Sequence, residues 1–290
     1  MTNCKSVLCS VISVMAFVVS AMSAEPTATF TFHTVNVTGS QSTSVYGINN
    51  SSVMVGSYVD GRGKRHGFML ANGVLTRIDD PAGTDTYCFA INLSGAIVGY
   101  YTNSKHSAQA FLYESGTFTD IGPADSTGSQ ALGINDSGAI NGNYSDSTGS
   151  HGFLLQNGTY TQVDVPGAAF TLGGGINNAG LMTEIWIDSG SSSESSLYTG
   201  TQFKTEDVPG AEDSSASAIN TRGDVVYSWE DSSDNYHGSL LHAGTFYTFD
   251  NPNGTRTFGY GINDHHVIVG EFLSTSGATE GFRASYTVSQ

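Results

Sequence analysis

Residues 128–168 read GSQALGINDSGAINGNYSDSTGSHGFLLQNGTYTQVDVPGA, and this stretch decides the fold. Small residues lead to Ile134-Asn135, and the turn Asn135-Asp136-Ser137-Gly138 follows. There Asn can cap the turn and Gly can take the positive φ it demands. Ile140 and Tyr144 stand four apart, on one face of a second strand. His151-Gly152-Phe153 opens a third strand, and Tyr160 and Val163 mark a fourth. No window shows the 3.6-residue apolar period of an amphipathic helix.

The unit recurs along the whole chain. Its Ile-Asn pair stands at Ile48/Asn49, Ile91/Asn92, Ile134/Asn135, Ile176/Asn177, Ile219/Asn220 and Ile262/Asn263, with spacings of 43, 43, 42, 43 and 43. The second strand carries Met54, Ile97, Ile140, Met182, Val225 and Ile268, then four residues on an aromatic in every copy: Tyr58, Tyr101, Tyr144, Trp186, Trp229 and Phe272. Four strands in about 43 residues is the size of a β-propeller blade. One such sheet cannot bury both faces alone, whereas radial stacking buries them against neighbours. The expected fold is all-β, a six-bladed propeller with its small-residue first strands at the crowded centre.

The chain ends bear on closure. The sixth unit reaches Gln290 before a fourth strand, and an extra copy of that strand lies near the start, within 29–37. Phe32 aligns with Tyr160 and Val35 with Val163. The N-terminal strand is therefore expected to complete the last blade and leave no open edge at the seam. A linear β-solenoid would not need this permutation. Residues 25–290 form one domain in this reading.

Residues 1–24 read as a cleaved secretory signal peptide: Lys5 supplies the positive start, Val7 to Met22 carries no charge, and small residues follow at Ser20, Ala21, Ser23 and Ala24. The expected address is extracellular or periplasmic, with no stable membrane insertion after cleavage. The mature chain would keep Cys88 alone, too few thiols for an internal disulfide framework. It would hold 9 basic against 26 acidic residues, a balance that repels nucleic acid and anionic lipid.

The opening of the third strand stands as His66-Gly67-Phe68, Gln109-Ala110-Phe111, His151-Gly152-Phe153, Glu194-Ser195-Ser196, His237-Gly238-Ser239 and Glu280-Gly281-Phe282. With the Val-Pro-Gly-Ala turns at Val165 to Ala168 and Val208 to Ala211, this resembles the bacterial extracellular HAF-repeat family. The resemblance spans nearly the whole mature chain and implies an exported repeat protein. It transfers no activity and no catalytic residues.

Departures from the repeat give the site candidates. Glu184 and Tyr227 stand where four other units have Gly56, Gly99, Gly142 and Gly270, and Glu206 replaces an apolar residue. A carboxylate in a packed layer is costly unless paired or wet, and one beside a tyrosine can do acid–base work. Glu184, Tyr227, Glu230 and Glu271 are thus the catalytic candidates, and the first two, in neighbouring units, are expected to lie near each other. Trp186 and Trp229 are the ligand-binding candidates, since flat rings match the apolar faces of sugars, although their column also reads as core. The repeated His position and the six Asn residues read as structural hydrogen bonds and turn caps.

No cofactor is expected: phosphate loops, paired-Cys motifs, His-Glu-x-x-His and nucleophile elbows are missing from the sequence. The oxygen-rich loops 231–235 and 146–149 suit Ca²⁺ in kind but lack its full ligand pattern. Arg62, Lys64, Arg65 and His66 form the one basic cluster. The function expected is a secreted propeller that binds an extracellular carbohydrate or a cell-surface component. The alternative is an extracellular polysaccharide hydrolase or lyase with a carboxylate/tyrosine site near units four and five.

Overall fold

The computed structural model describes residues 26–187 and 192–289; the expected signal segment 1–24 lies outside them. Six four-stranded antiparallel sheets form the six blades. In blades one to five the strands follow chain order from the innermost outwards, and in blade six the N-terminal strand (Thr27–Val35) takes the outermost place beside the C-terminal strand (Thr279–Ser289). Val35 pairs with Gly281 as Val163 pairs with Gly152, so the closing strand keeps the register of an ordinary fourth strand. The strand begins at Thr27, two residues before the expected start, and stops at Val35.

Apolar residues are buried between blades, as radial stacking requires. The seam between blades five and six is the most aromatic interface, with Phe249, Phe272, Phe282 and Tyr286 buried together. Phe30 and Phe32 of the closing strand pack against Phe249 at 5.0 and 6.3 Å. Among the described residues Cys88 is a free, buried thiol, and packing and ring closure hold the blades together.

The Ile-Asn turns carry the positive φ that their Gly residues foretold, at Gly95, Gly138, Gly180 and Gly223; Ser52 and His266 adopt it in blades one and six. Each Asn does two jobs. In blade three, Asn135 Oδ1 accepts from the amides of Ser137 and Ala139, while its Nδ2 donates to the Asn177 carbonyl of the next blade at 3.1 Å. The same donation runs from Asn49 to Asn92, Asn92 to Asn135, Asn177 to Asn220 and Asn220 to Asn263.

Above that ring the first strands nearly touch. A Cβ on Gly47 would lie 2.6 Å from the Phe89 carbonyl, and one on Gly175 would lie 2.8 Å from Ala218 Cα. The expectation of a small-residue centre holds at this waist. One residue earlier it fails: every first strand shifts register there, around Tyr46, Phe89, Leu132, Gly174, Ser217 and Tyr260. A β-bulge re-aims a side chain, and these six positions line the mouth of the central channel.

Candidate functional site

The bulge ring is lopsided. Blades six, one and two contribute Tyr260, Tyr46 and Phe89, blade three Leu132, and blades four and five only Gly174 and Ser217. Large rings therefore wall one half of the channel mouth, and a depression opens on the other. It extends outwards as a cavity of about 420 Å³ over blades four to six, on the face carrying the second-to-third-strand loops.

Blade five supplies most of the cavity wall. On its first strand (Asp213–Ile219) the alternating residues Asp213, Ser215 and Ser217 line the cavity. Asp213 and Ser215 lie opposite Glu230 and Ser228 of the second strand (Val225–Glu230). Asp213 Oδ1 accepts from the Ser193 amide of blade four at 2.7 Å. Tyr236 donates its phenol to Glu230, the leading reason that phenol is held above its ordinary range. Its ring lies 5.3 Å from Phe258 of blade six. Trp229 also lines the cavity, lies tilted against His237 with ring centroids 4.7 Å apart, and buries an indole N–H that has no hydrogen-bond partner among the described residues.

The aromatic wall continues past the cavity. From Tyr236 and Phe258 it passes to Tyr260, which lies nearly parallel to Phe258 at 6.3 Å and 5.4 Å from Tyr46. Tyr46 stacks on Phe89 at 4.7 Å, and Phe89 leads to Tyr100 and Tyr87. Guanidinium groups cover both ends, Arg256 over Tyr236 and Arg65 over Tyr87, each at 4.9 Å. Such cation–π contacts fix the outer rings in place. The phenol of Tyr260 donates to Glu271 Oε1 at 3.1 Å; burial first, and then the neighbouring Glu271 charge, push it well above its ordinary range.

The six residues singled out from the sequence are thereby separated. Trp229 and Glu230 stand in the cavity wall. Glu271 anchors Tyr260 beside the channel mouth. Trp186 is half-buried and donates its indole N–H to Ser196 Oγ at 3.1 Å, away from the cavity. Glu184 and Tyr227 do not share an environment, because each faces the blade before its own. Glu184 is 1 % exposed, beside Gly152, Asn141 and Asp164 of blade three; burial and the Asp164 charge push its carboxyl well above the ordinary range. Tyr227 is fully buried among Val208, Ala216 and Leu241, and burial pushes its phenol up.

The repeated His position is structural in three alternate blades. His66 bridges Asp60 and Asp79, while His151 and His237 bond Asp164 and Asp250 through Nδ1. Each imidazole lies beside the aromatic of its own second strand, at 5.2, 5.3 and 4.7 Å. The oxygen-rich loops use their carboxylates locally: Asp231 accepts from the amides of Ser233 and Asn235, and Asp146 from those of Thr148 and Gly149. In the basic cluster Asp60 accepts from the amides of Arg62 and Lys64, and Arg65 bonds Ser57 Oγ.

Sequence reasoning overlooked Tyr46, Phe89, Asp213, Ser217, Tyr236, Phe258 and Tyr260. One signal was available: two residues before each Ile, the column reads Tyr46, Phe89, Leu132, Gly174, Ser217, Tyr260, small in two adjacent units and large elsewhere.

Fold and site together define a six-bladed β-propeller with an off-centre cavity on one face. No protein-family model matches the chain, and no curated protein sequence matches it. Among solved structures it is similar to a mutant of the Aleuria aurantia lectin in complex with Fucα1-6GlcNAc, with a TM-score of 0.54, 11% identity, and coverage of 89% of this chain and 97% of that one. It is similar to the SapL1 lectin in complex with α-methyl fucoside, with a TM-score of 0.57 and 12% identity over 87% of this chain and 96% of that one. The virginiamycin B lyase of Staphylococcus aureus gives 0.53 and 10% over 89% and 99%. At such identities the likeness establishes the propeller architecture.

Proposed function

We propose that this protein is an extracellular glycan-binding propeller that takes sugar in the cavity over blades four to six. The carrying observation is the cavity lining, where Trp229, Tyr236, Phe258 and Tyr260 stand with Asp213, Glu230 and several serines. Sugars present apolar C–H faces that suit flat rings and hydroxyls that suit carboxylate and hydroxyl partners, the mixture typical of small-molecule sites. Similarity to two propeller lectins solved with fucosides supports the same reading. The His-Gly-Phe units and the charge-free N-terminal stretch support an exported, HAF-repeat setting.

The test is a glycan array probed with protein lacking residues 1–24, followed by calorimetry on the hits. Trp229→Ala and Glu230→Gln are each expected to weaken binding about tenfold or more. Tyr101→Ala, whose ring lies in blade two outside the cavity, should leave binding intact. Binding that survives both cavity changes would remove this site, and an array without hits would remove the proposal. Release of shortened chains during incubation would replace binding with turnover. N-terminal sequencing of secreted material should find the mature start between residues 22 and 26.

A further inference from the structure

The cavity and the channel mouth are continuous, because Ile185, Ser217 and Tyr260 belong to the walls of both. The mouth adds about 130 Å³ to the cavity's 420 Å³ and is flanked by Tyr46 and Phe89. Beneath it the channel narrows to about 80 Å³ at the waist, where Gly47, Gly175 and Gly261 are packed too tightly to carry even a Cβ. The larger space for a ligand therefore lies on this face.

Charge narrows the chemistry further. Asp213 and Glu230 face the cavity, while the neighbouring Arg256 lies over the Tyr236 ring. Among the described residues the lining carries two carboxylates and no cation of its own, so an anionic sugar meets like charge there, whereas neutral hydroxyls find acceptors.

We infer that, on the glycan-binding reading above, this groove takes the end of a neutral linear oligosaccharide. The terminal residue sits in the channel mouth against Tyr46, Phe89 and Tyr260. The following residues run outwards past Ser217 to Trp229, Glu230 and Tyr236 at the rim. The missing side chains of blades four and five make this path: a residue as large as Leu132 in place of Ser217 would close it.

The experiment measures affinity for linear neutral glucans, xylans, mannans, galactans and N-acetylglucosamine chains of one to five residues. Each bound series is repeated with a bulky cap on the reducing or the non-reducing end. Affinity is expected to rise about tenfold or more from one residue to three, as further rings find aromatic partners. One cap should abolish binding and the other should not. Ser217→Leu should lower trisaccharide affinity about tenfold; if that variant melts early, Tyr46→Leu, which removes the far wall, should lower it as well. Equal affinity for one and three residues, or tolerance of both caps, would overturn end-on binding and leave glycan binding standing. A protein that binds only branched, fucosylated or charged glycans loses the end-on reading alone, and one that binds no glycan on the array loses both.

Discussion

Asn263 Nδ2 donates to the backbone carbonyl of Asn49 at 3.1 Å, across 214 residues of chain. The five bonds that precede it join neighbours 42 or 43 residues apart. The sixth makes the series a closed circle, so every blade both gives and receives one bond. The same side chains cap their own turns, so one Asn serves both the local turn and the contact between blades. Replacing Asn135 with Ala removes a buried donor and the acceptor for two amides; the expected cost is about 2–3 kcal/mol by denaturant unfolding. A cost below about 1 kcal/mol would mean water substitutes for the ring at little expense.

The closing strand is the second half of that circle. Deleting residues 25–37 removes Phe30 and Phe32 from the seam and exposes the C-terminal strand from Gly281 to Ser289. An unpaired edge of nine residues invites pairing with another chain. The truncated protein should melt at lower temperature and form dimers or aggregates, and a peptide of sequence TATFTFHTV should restore the monomer. An unchanged melting temperature and a monodisperse profile would refute closure by this strand.

Glu184 should make the protein less stable as pH rises. Its carboxyl is pushed above its ordinary value of 4.5 in the folded state. Below that pH both states are protonated and there is no cost. Above it the unfolded chain releases its proton first, and stability falls by about 1.4 kcal/mol per pH unit until the folded value is reached. Glu184→Gln should therefore raise the melting temperature at pH 7 and leave it nearly unchanged at pH 4. An equal effect at both would place the gain in packing instead of charge.

Asp224 has the opposite sign. Buried at the blade five–six seam, it accepts from Asn220 Nδ2 and the Tyr286 phenol at 2.9 Å, bonds His242 Nδ1 at 2.7 Å, and has Arg222 beside it. Burial alone would raise its carboxyl; the hydrogen bonds from Asn220, His242 and Tyr286 outweigh it and hold the value below the ordinary 3.8. Its stabilisation is present above that value and is lost as pH falls through the lower folded one. Asp224→Asn should cost about 2–4 kcal/mol at neutral pH and make acid unfolding less steep. A variant as stable as the parent at pH 7 would show that this network contributes nothing to the seam.

The number of blades, the four strands in each and the strand that seals the ring were all legible in the sequence. These rest on local chemistry: period-2 alternation, Asn-x-x-Gly turns and a repeat that registers from one unit to the next. Phe32 and Val35 could be aligned with Tyr160 and Val163 because a fourth strand pairs alike wherever it enters the chain. Of the cavity wall, Trp229 and Glu230 were legible as candidates in the sequence, and the folded ring brought the remaining residues to them. The bulge at Tyr46, Ser217 and Tyr260 breaks the alternation by one residue and turns those side chains into the channel, so a period-2 reading assigns them to the wrong face. Glu184 and Tyr227 look like neighbours in the repeat, yet every blade shows that column to the one before it, which places them in separate interfaces. Tyr236 meets Phe258 only because ring stacking brings the third strand of one blade against the first strand of the next.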